Sequence, residues 1–190
     1  MNAKPGDICL FYNARGICRL ITWFTKSRFY HVGIYDGDEH VVEARPSGVV
    51  RRDLQKANEH DYLVIPAPQN KGQEALQWAR QQIGDNYDVP GVMLLVLERL
   101  FTNLHINYKP PRSRFSCGQF VLCAFQEAGL ELLPGQEPEI AVPADFETLL
   151  DSIESAKTKQ TPGLLPIVFG FCFVTLGIYH MVKNQNKSAK

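Results

Sequence analysis

The chain lacks an excess of charge of either sign: 20 Lys+Arg balance 20 Asp+Glu, so no global basic surplus points to DNA or RNA. It lacks a disulfide framework too. Its five cysteines, Cys9, Cys18, Cys117, Cys123 and Cys172, are odd in number, show no C-x-x-C spacing and include one inside an apolar run. No H-E-x-x-H, Walker A loop or G-x-G-x-x-G occurs, so the sequence implies no metal, no nucleotide and no other cofactor. The opening residues MNAKPGDICLFY offer no charged n-region followed by a long apolar stretch, so no cleavable export signal is expected and the chain is expected to begin in a reducing cytosol. What is present, 190 residues with 45% apolar and 21% charged content, suits one core of ordinary domain size plus an appendage.

Charge is unevenly placed. All 20 acidic residues fall before residue 162, whereas Lys183, Lys187 and Lys190 lie in the tail. From Leu164 to Val182 the run LLPIVFGFCFVTLGIYHMV carries no Asp, Glu, Lys or Arg. As a helix it would be roughly 28 Å long, against a hydrocarbon core of about 30 Å. The reading is a C-terminal single-pass membrane helix at 164–182, with the linker 157–163 before it and the basic tail 183–190 after it. A buried core helix is the alternative. Insertion after synthesis would leave the larger domain, 1–156, on the cytosolic side.

Strand patterns come first in that domain and helical patterns later. Ile8–Tyr12, HVGIY from His31, HVVEA from His40, Val49–Arg52 and Tyr62–Ile65 read as strands, and Gly16–Lys26 has helical spacing. Asn70 can cap a helix through Ile83 that ends at Gly84, and Asp88 with Pro90 can start another through about Phe101. Residues 103–114 read as a loop, and Cys117–Ala128 as a helix closed by Gly129. No internal repeat is found, and the order predicts an α+β domain with an antiparallel sheet and packed helices.

Ser116-Cys117-Gly118-Gln119 fits a capping box, with the Ser116 side chain on the Gln119 N–H and Gln119 reaching back to Ser116. Cys117 then sits in the first helical turn, where orphan N–H groups and the positive end of the helix dipole favour an anion. A nucleophile suits that position, as does an ordinary buried cysteine; Cys123 and Cys9 read as small hydrophobes. A base is available in the hairpin from His31 to Glu43. A three-residue turn at Asp36-Gly37-Asp38 would pair Tyr35 with Glu39 and place His31 opposite Glu43, where a carboxylate could hold the imidazole's tautomer and charge. A two-residue turn would send Glu43 to the other face. Taken separately, His31 reads as a core histidine and Glu43 as a solvated strand acid.

Together, P-G-D-I (5–8), Y-H-V-G-I-Y (30–35), V-V-E-A (41–44), N-Y-D (86–88) and S-C-G-Q-F-V (116–121) resemble the circularly permuted NlpC-like cysteine hydrolases, especially the YiiX-like branch. In ordinary papain-like enzymes Cys precedes His; here His31 precedes Cys117, as in the permuted branch. The resemblance covers about residues 5–150. It implies a permuted papain-like domain, Cys117 as nucleophile, His31 as general base, Glu43 as its orienting group, and Tyr87 lining the site and aiding oxyanion binding. Relatives of this group include cell-wall amide hydrolases and the lecithin–retinol acyltransferase and phospholipase A/acyltransferase group. The chain departs from the lipid group's second histidine and N-C-E-H-F signature, offering Glu43 and S-C-G-Q-F instead; His40, on the other strand face from Glu43, is not expected to replace it.

The membrane run favours a lipid or lipid-linked acyl substrate and a membrane partner. An amidase or peptidase with the same machinery, and a non-catalytic anchored binding module, stand as the alternatives. Lys4, Arg15, Arg19, Lys26 and Arg28 oppose one acid, Asp7, before His31, and Arg99, Lys109, Arg112 and Arg114 oppose none before Cys117. If those segments converge they favour an anionic leaflet; solvated loop charges would read the same. Residues 127–154 hold eight acids and no Lys or Arg. Val92–Leu97, VMLLVL, reads as a buried helix face or as an element that dips into membrane.

Overall fold

The computed structural model describes residues 3–16, 18–59, 61–100, 108–111 and 113–151. The chain divides into two units, Met1–Leu150 and Asp151–Lys190. The expected membrane helix 164–182, its linker and the basic tail lie outside the described residues, among which no helix is long and apolar enough to cross a membrane.

The first unit is α+β. Five antiparallel strands, β1 (Ile8–Phe11), β2 (His31–Gly37), β3 (His40–Arg45), β4 (Gly48–Asp53) and β5 (Tyr62–Ile65), form a sheet in the order β4-β3-β2-β1-β5. The helices are α1 (Cys18–Thr25), α2 (Gly72–Gln81), α3 (Val89–Leu100) and α4 (Cys117–Glu127). Helices α2 and α4 pack on each other and on β2 and β3. Alternation along the strands puts Ile8, Leu10, Val32, Ile34, Val42 and Ala44 on one fully buried face. The opposite face carries a smaller apolar cluster of Cys9, Phe11, Tyr35 and Val41, joined by Leu54.

The hairpin does not close as expected. It turns through two residues, Asp38 and Glu39, both at positive φ (48° and 56°), as a type I′ turn requires. The observed pairs are Tyr35 with Val41 and Ile34 with Val42, so His31 does not lie opposite Glu43. The ladder shifts between Tyr35 and Gly37, leaving Asp36 as a bulged extra residue. The bulge offsets the short turn, and the register ends two residues from the expected one. Because side chains alternate with period two, His31 and Glu43 still share a face, with Gly33 facing Glu43 and His31 diagonal to it. Asp36 is itself buried and held from the other face by Arg51 of β4 and by Arg80 of α2, the latter at 2.6 Å.

Helix α2 begins at Gly72, not at an Asn70 cap; Asn70 lies at φ 56° in a preceding 3-10 turn. The start is set by Gly6, at φ 97°, whose Cβ position would collide with the Gly72 backbone. Asp7 accepts from the Lys4 N–H (2.8 Å) and the Ala67 N–H (3.0 Å), which closes the same corner. The P-G-D-I segment is therefore a packing device. At the end of the expected loop 103–114, a short strand β7 (Arg114–Phe115) pairs in parallel with β6 (Asn86–Tyr87), a pairing the sequence pattern does not announce. Among the described side chains of Val92–Leu97 none is buried: Met93 and Leu97 are exposed, and Val92, Leu94 and Leu95 are half-buried.

Candidate active site

Glu43 is the centre of the site and is fully buried. A buried carboxylate survives as an anion only when its oxygens are satisfied by cations or donors. Here His31 Nε2 lies 2.7 Å from Oε2, Arg52 Nη2 donates to Oε2 at 3.2 Å, Arg52 Nε donates to Oε1, and Arg45 Nη1 donates to Oε1 at 3.2 Å. Burial opposes ionisation of Glu43, but the charge and hydrogen bonds of His31 and Arg52 prevail and hold the carboxyl well below its usual range. Burial likewise opposes a charged His31. The Glu43 charge, together with hydrogen bonds to Cys117 and Glu43, outweighs it and raises the imidazole to about 9.

Glu43 as an anion can only accept, so Nε2 of His31 carries the proton in that bond and Nδ1 is left for the Cys117 side chain. The ring packs against two aromatic neighbours, Phe11 at 5.4 Å and Tyr30 at 6.3 Å between centroids. Access is narrow: Cys117 keeps 8% of its exposure and the His31 side chain 12%.

Cys117 is placed by the local chemistry read from its sequence. Ser116 Oγ accepts from the Gln119 N–H at 3.3 Å and Gln119 Oε1 accepts from the Ser116 N–H at 3.3 Å, so the capping box is complete and α4 starts at Cys117. Gly118 has no room for a side chain, since a Cβ would collide with the Ala141 carbonyl, which fixes the first turn of α4 against the chain beyond it. Tyr87 arrives through the parallel β6–β7 pair, where it lies beside Phe115, two residues before Cys117. Its hydroxyl is pushed well above the usual range, first by burial and then by the nearness of Cys117 and Asp88. Asp88 closes the N-D side of this segment: its carboxylate accepts from the Gly91 N–H at 3.2 Å and from the Tyr108 hydroxyl at 2.7 Å.

The four residues singled out in the sequence, Cys117, His31, Glu43 and Tyr87, are thus brought together. His40 is elsewhere, its Nδ1 2.6 Å from the Asp38 carbonyl and its Nε2 3.9 Å from Asp53. Sequence reasoning missed Arg52. It pairs with Val41, two positions from the residue facing Glu43, so it shares Glu43's face, and its guanidinium also lies 5.3 Å from the Phe11 ring centroid. The signal was available in the alternation V-V-R-R-D, which sends one of two adjacent arginines toward that face. Among the described residues no group of three or more His, Cys, Asp and Glu is arranged to hold a metal ion.

Gly33 makes the diagonal contact between His31 and Glu43 feasible. A methyl there would sit 2.8 Å from Val41 Cγ2 and 3.0 Å from Glu43 Cβ. Gly33→Ala is expected to cost about 1–3 kcal/mol in urea unfolding, as overpacking does. It should also displace Glu43 and lower the alkaline value of the imidazole, which NMR titration of His31 would follow. An unmoved titration would show that Gly33 does not control the contact.

The chemistry available is that of an imidazole that can exchange a proton with a sulfur while a buried carboxylate and two arginines hold its charge and orientation. No protein-family model matches the chain and no curated protein is significantly similar to it, so the reading of the site rests on its own geometry.

Proposed function

We propose that the protein is a cysteine-dependent acyl hydrolase or acyltransferase of the permuted papain-like, NlpC-type kind, with lipid acyl groups as the favoured substrate and a membrane as its place of work. The observation that carries the reading is the hydrogen-bonded series His31–Glu43–Arg52, buried beside Cys117 at the N-terminus of a capped helix. In this reading the Cys117 thiol gives its proton to His31, and its sulfur attacks the acyl carbonyl carbon. The resulting oxyanion is met by the Cys117 backbone N–H and the Tyr87 hydroxyl. Collapse breaks the bond to the alkoxide, thiolate or amine leaving group, which takes the proton from His31 and leaves an acyl-cysteine. His31 then takes a proton from water or an acceptor hydroxyl as that oxygen attacks the thioester, and Cys117 is released with the free acid or the transferred acyl product.

Arg52 is a positioning residue in this scheme: it holds Glu43, which holds His31. The uncharged run 164–182 supports a membrane anchor at the C-terminal side and hence a substrate met at a lipid surface. The test is the mass of the adduct on Cys117 after the full chain is exposed to defined phospholipids and, separately, to peptide amides. A fatty-acyl mass on Cys117 supports the lipid reading, and peptidyl adducts alone replace it with an amidase. No adduct with either substrate, alongside an unreactive thiol, overturns the enzyme reading in favour of a binding module.

A further inference from the structure

We propose that α1 and α3 form a docking lip that seats the Cys117 end of the domain on an anionic lipid surface. Topology puts both helices at that end. Phe11, the last residue of β1, pairs with His31, the first residue of β2, so the connection that contains α1 spans the His31 end of the sheet. Helix α3 follows directly from β6, whose Tyr87 lies beside Phe115 on the strand leading to Cys117.

Both helices carry apolar side chains outward. Trp23 of α1 is 74% exposed, and Val89, Met93 and Leu97 of α3, spaced four apart on one stripe, are 51%, 59% and 37% exposed. Among the described residues of α3 whose side chains are placed, none is fully buried, although the helix is almost wholly apolar. Such a helix has unspent hydrophobic surface. The occupant is chosen by charge. From Ala14 to Tyr30 the chain has Arg15, Arg19, Lys26 and Arg28 and no acid. Arg19 and Trp23 lie one turn apart on α1, Lys26 follows just past its end, and all three are exposed, so the tryptophan has a cation before it on the helix and another after it. An indole that prefers the headgroup region, flanked by lysine and arginine, fits an anionic leaflet and not a neutral surface, and its amphipathic ring beside the apolar stripe of α3 favours a lipid interface. The narrow access to the sulfur gives the lip a purpose, because an acyl chain could pass to Cys117 without crossing water.

As a statement of how substrate is supplied, the proposal rests on the acyl-cysteine reading; as a statement of docking, it does not. The experiment uses the full chain with Trp78→Phe, which leaves Trp23 as the sole tryptophan, in phosphatidylcholine vesicles with or without phosphatidylserine, with or without brominated acyl chains. The expected result is a Trp23 emission shifted to shorter wavelength and quenched by bromine only where phosphatidylserine is present. Arg19→Gln with Lys26→Gln should lower the docking constant about thirtyfold, two cations at about 1 kcal/mol each. Met93→Asp should abolish the quenching, with circular dichroism unchanged in both variants. Emission like that of indole in water overturns the proposal. So does quenching indifferent to phosphatidylserine, or a blue shift without quenching, which would mark a second copy, another protein or the chain's own apolar run as the occupant. A Cys117→Ala chain should dock normally, so a failure of catalysis and a failure of docking are read separately.

Discussion

Replacing Cys117 by alanine is expected to lower turnover of an acyl ester by at least about 10⁴-fold, the scale on which removing one member of a nucleophile–base pair acts. The fold should survive, because Cys117 lies in the first turn of α4 and the capping atoms belong to Ser116 and Gln119. Steady-state kinetics beside urea unfolding check both halves. Cys117→Ser should be nearly as inactive, since a hydroxyl does not yield its proton to His31 as a thiol does. Adding His31→Ala to Cys117→Ala should cost little more, because the two act as one unit. Full activity in Cys117→Ala would remove the sulfur from the chemistry altogether. Alkaline loss of activity should follow the imidazole near 9, where the proton that His31 lends to the leaving group is gone. Glu43→Gln should move that limb to lower pH, since the carboxylate is what raises the imidazole.

Glu43→Ala is expected to have the largest effect on stability, a loss of about 3–5 kcal/mol at neutral pH in urea unfolding. Removing the carboxylate leaves the Arg52 guanidinium, whose side chain is 15% exposed, and His31 without their main counter-charge. The pH dependence follows from the two shifts. His31 is raised on folding, so its contribution is complete below the unfolded imidazole value of about 6.5 and is lost as pH climbs through about 9. Glu43 is lowered on folding, so its contribution is present above the unfolded carboxyl value of about 4.3 and is lost in strong acid. The margin of the native chain over Glu43→Gln should therefore be widest between roughly pH 4.5 and 6.5 and shrink toward alkaline pH. A margin that does not vary with pH would mean that the ion pair adds nothing to the folded state.

Local rules located the start of α4, because a capping box needs only four adjacent residues and no tertiary partner. Strand positions were legible for the same reason, as a run of four or five residues carries its own strand signal. The hairpin register was not. Turn type depends on which residues accept positive φ, and Asp38-Glu39 does so without a glycine, while the Asp36 bulge depends on Arg51 and on Arg80 of a later helix. The shared face of His31 and Glu43 was anticipated through a different register from the one observed. The alternation V-V-R-R-D sends one arginine to each face, but it does not say which neighbour strand, and hence which carboxylate, Arg52 will meet. The β6–β7 pair is two residues long, below the length at which any pattern exists. The apolar α3 was read as core or as a membrane-facing element because hydrophobicity alone does not state what will cover it.

The bulge at Asp36 imposes a counting rule on the hairpin. Changing the number of residues between His31 and Glu43 by two preserves the side on which the carboxylate emerges. With the two-residue turn and the bulge both kept, changing it by one sends the carboxylate through to the opposite side. Tip lengths in functional variants should therefore differ in even steps, and the two arginines that grip Asp36 act as the pawl that keeps this ratchet from slipping a tooth.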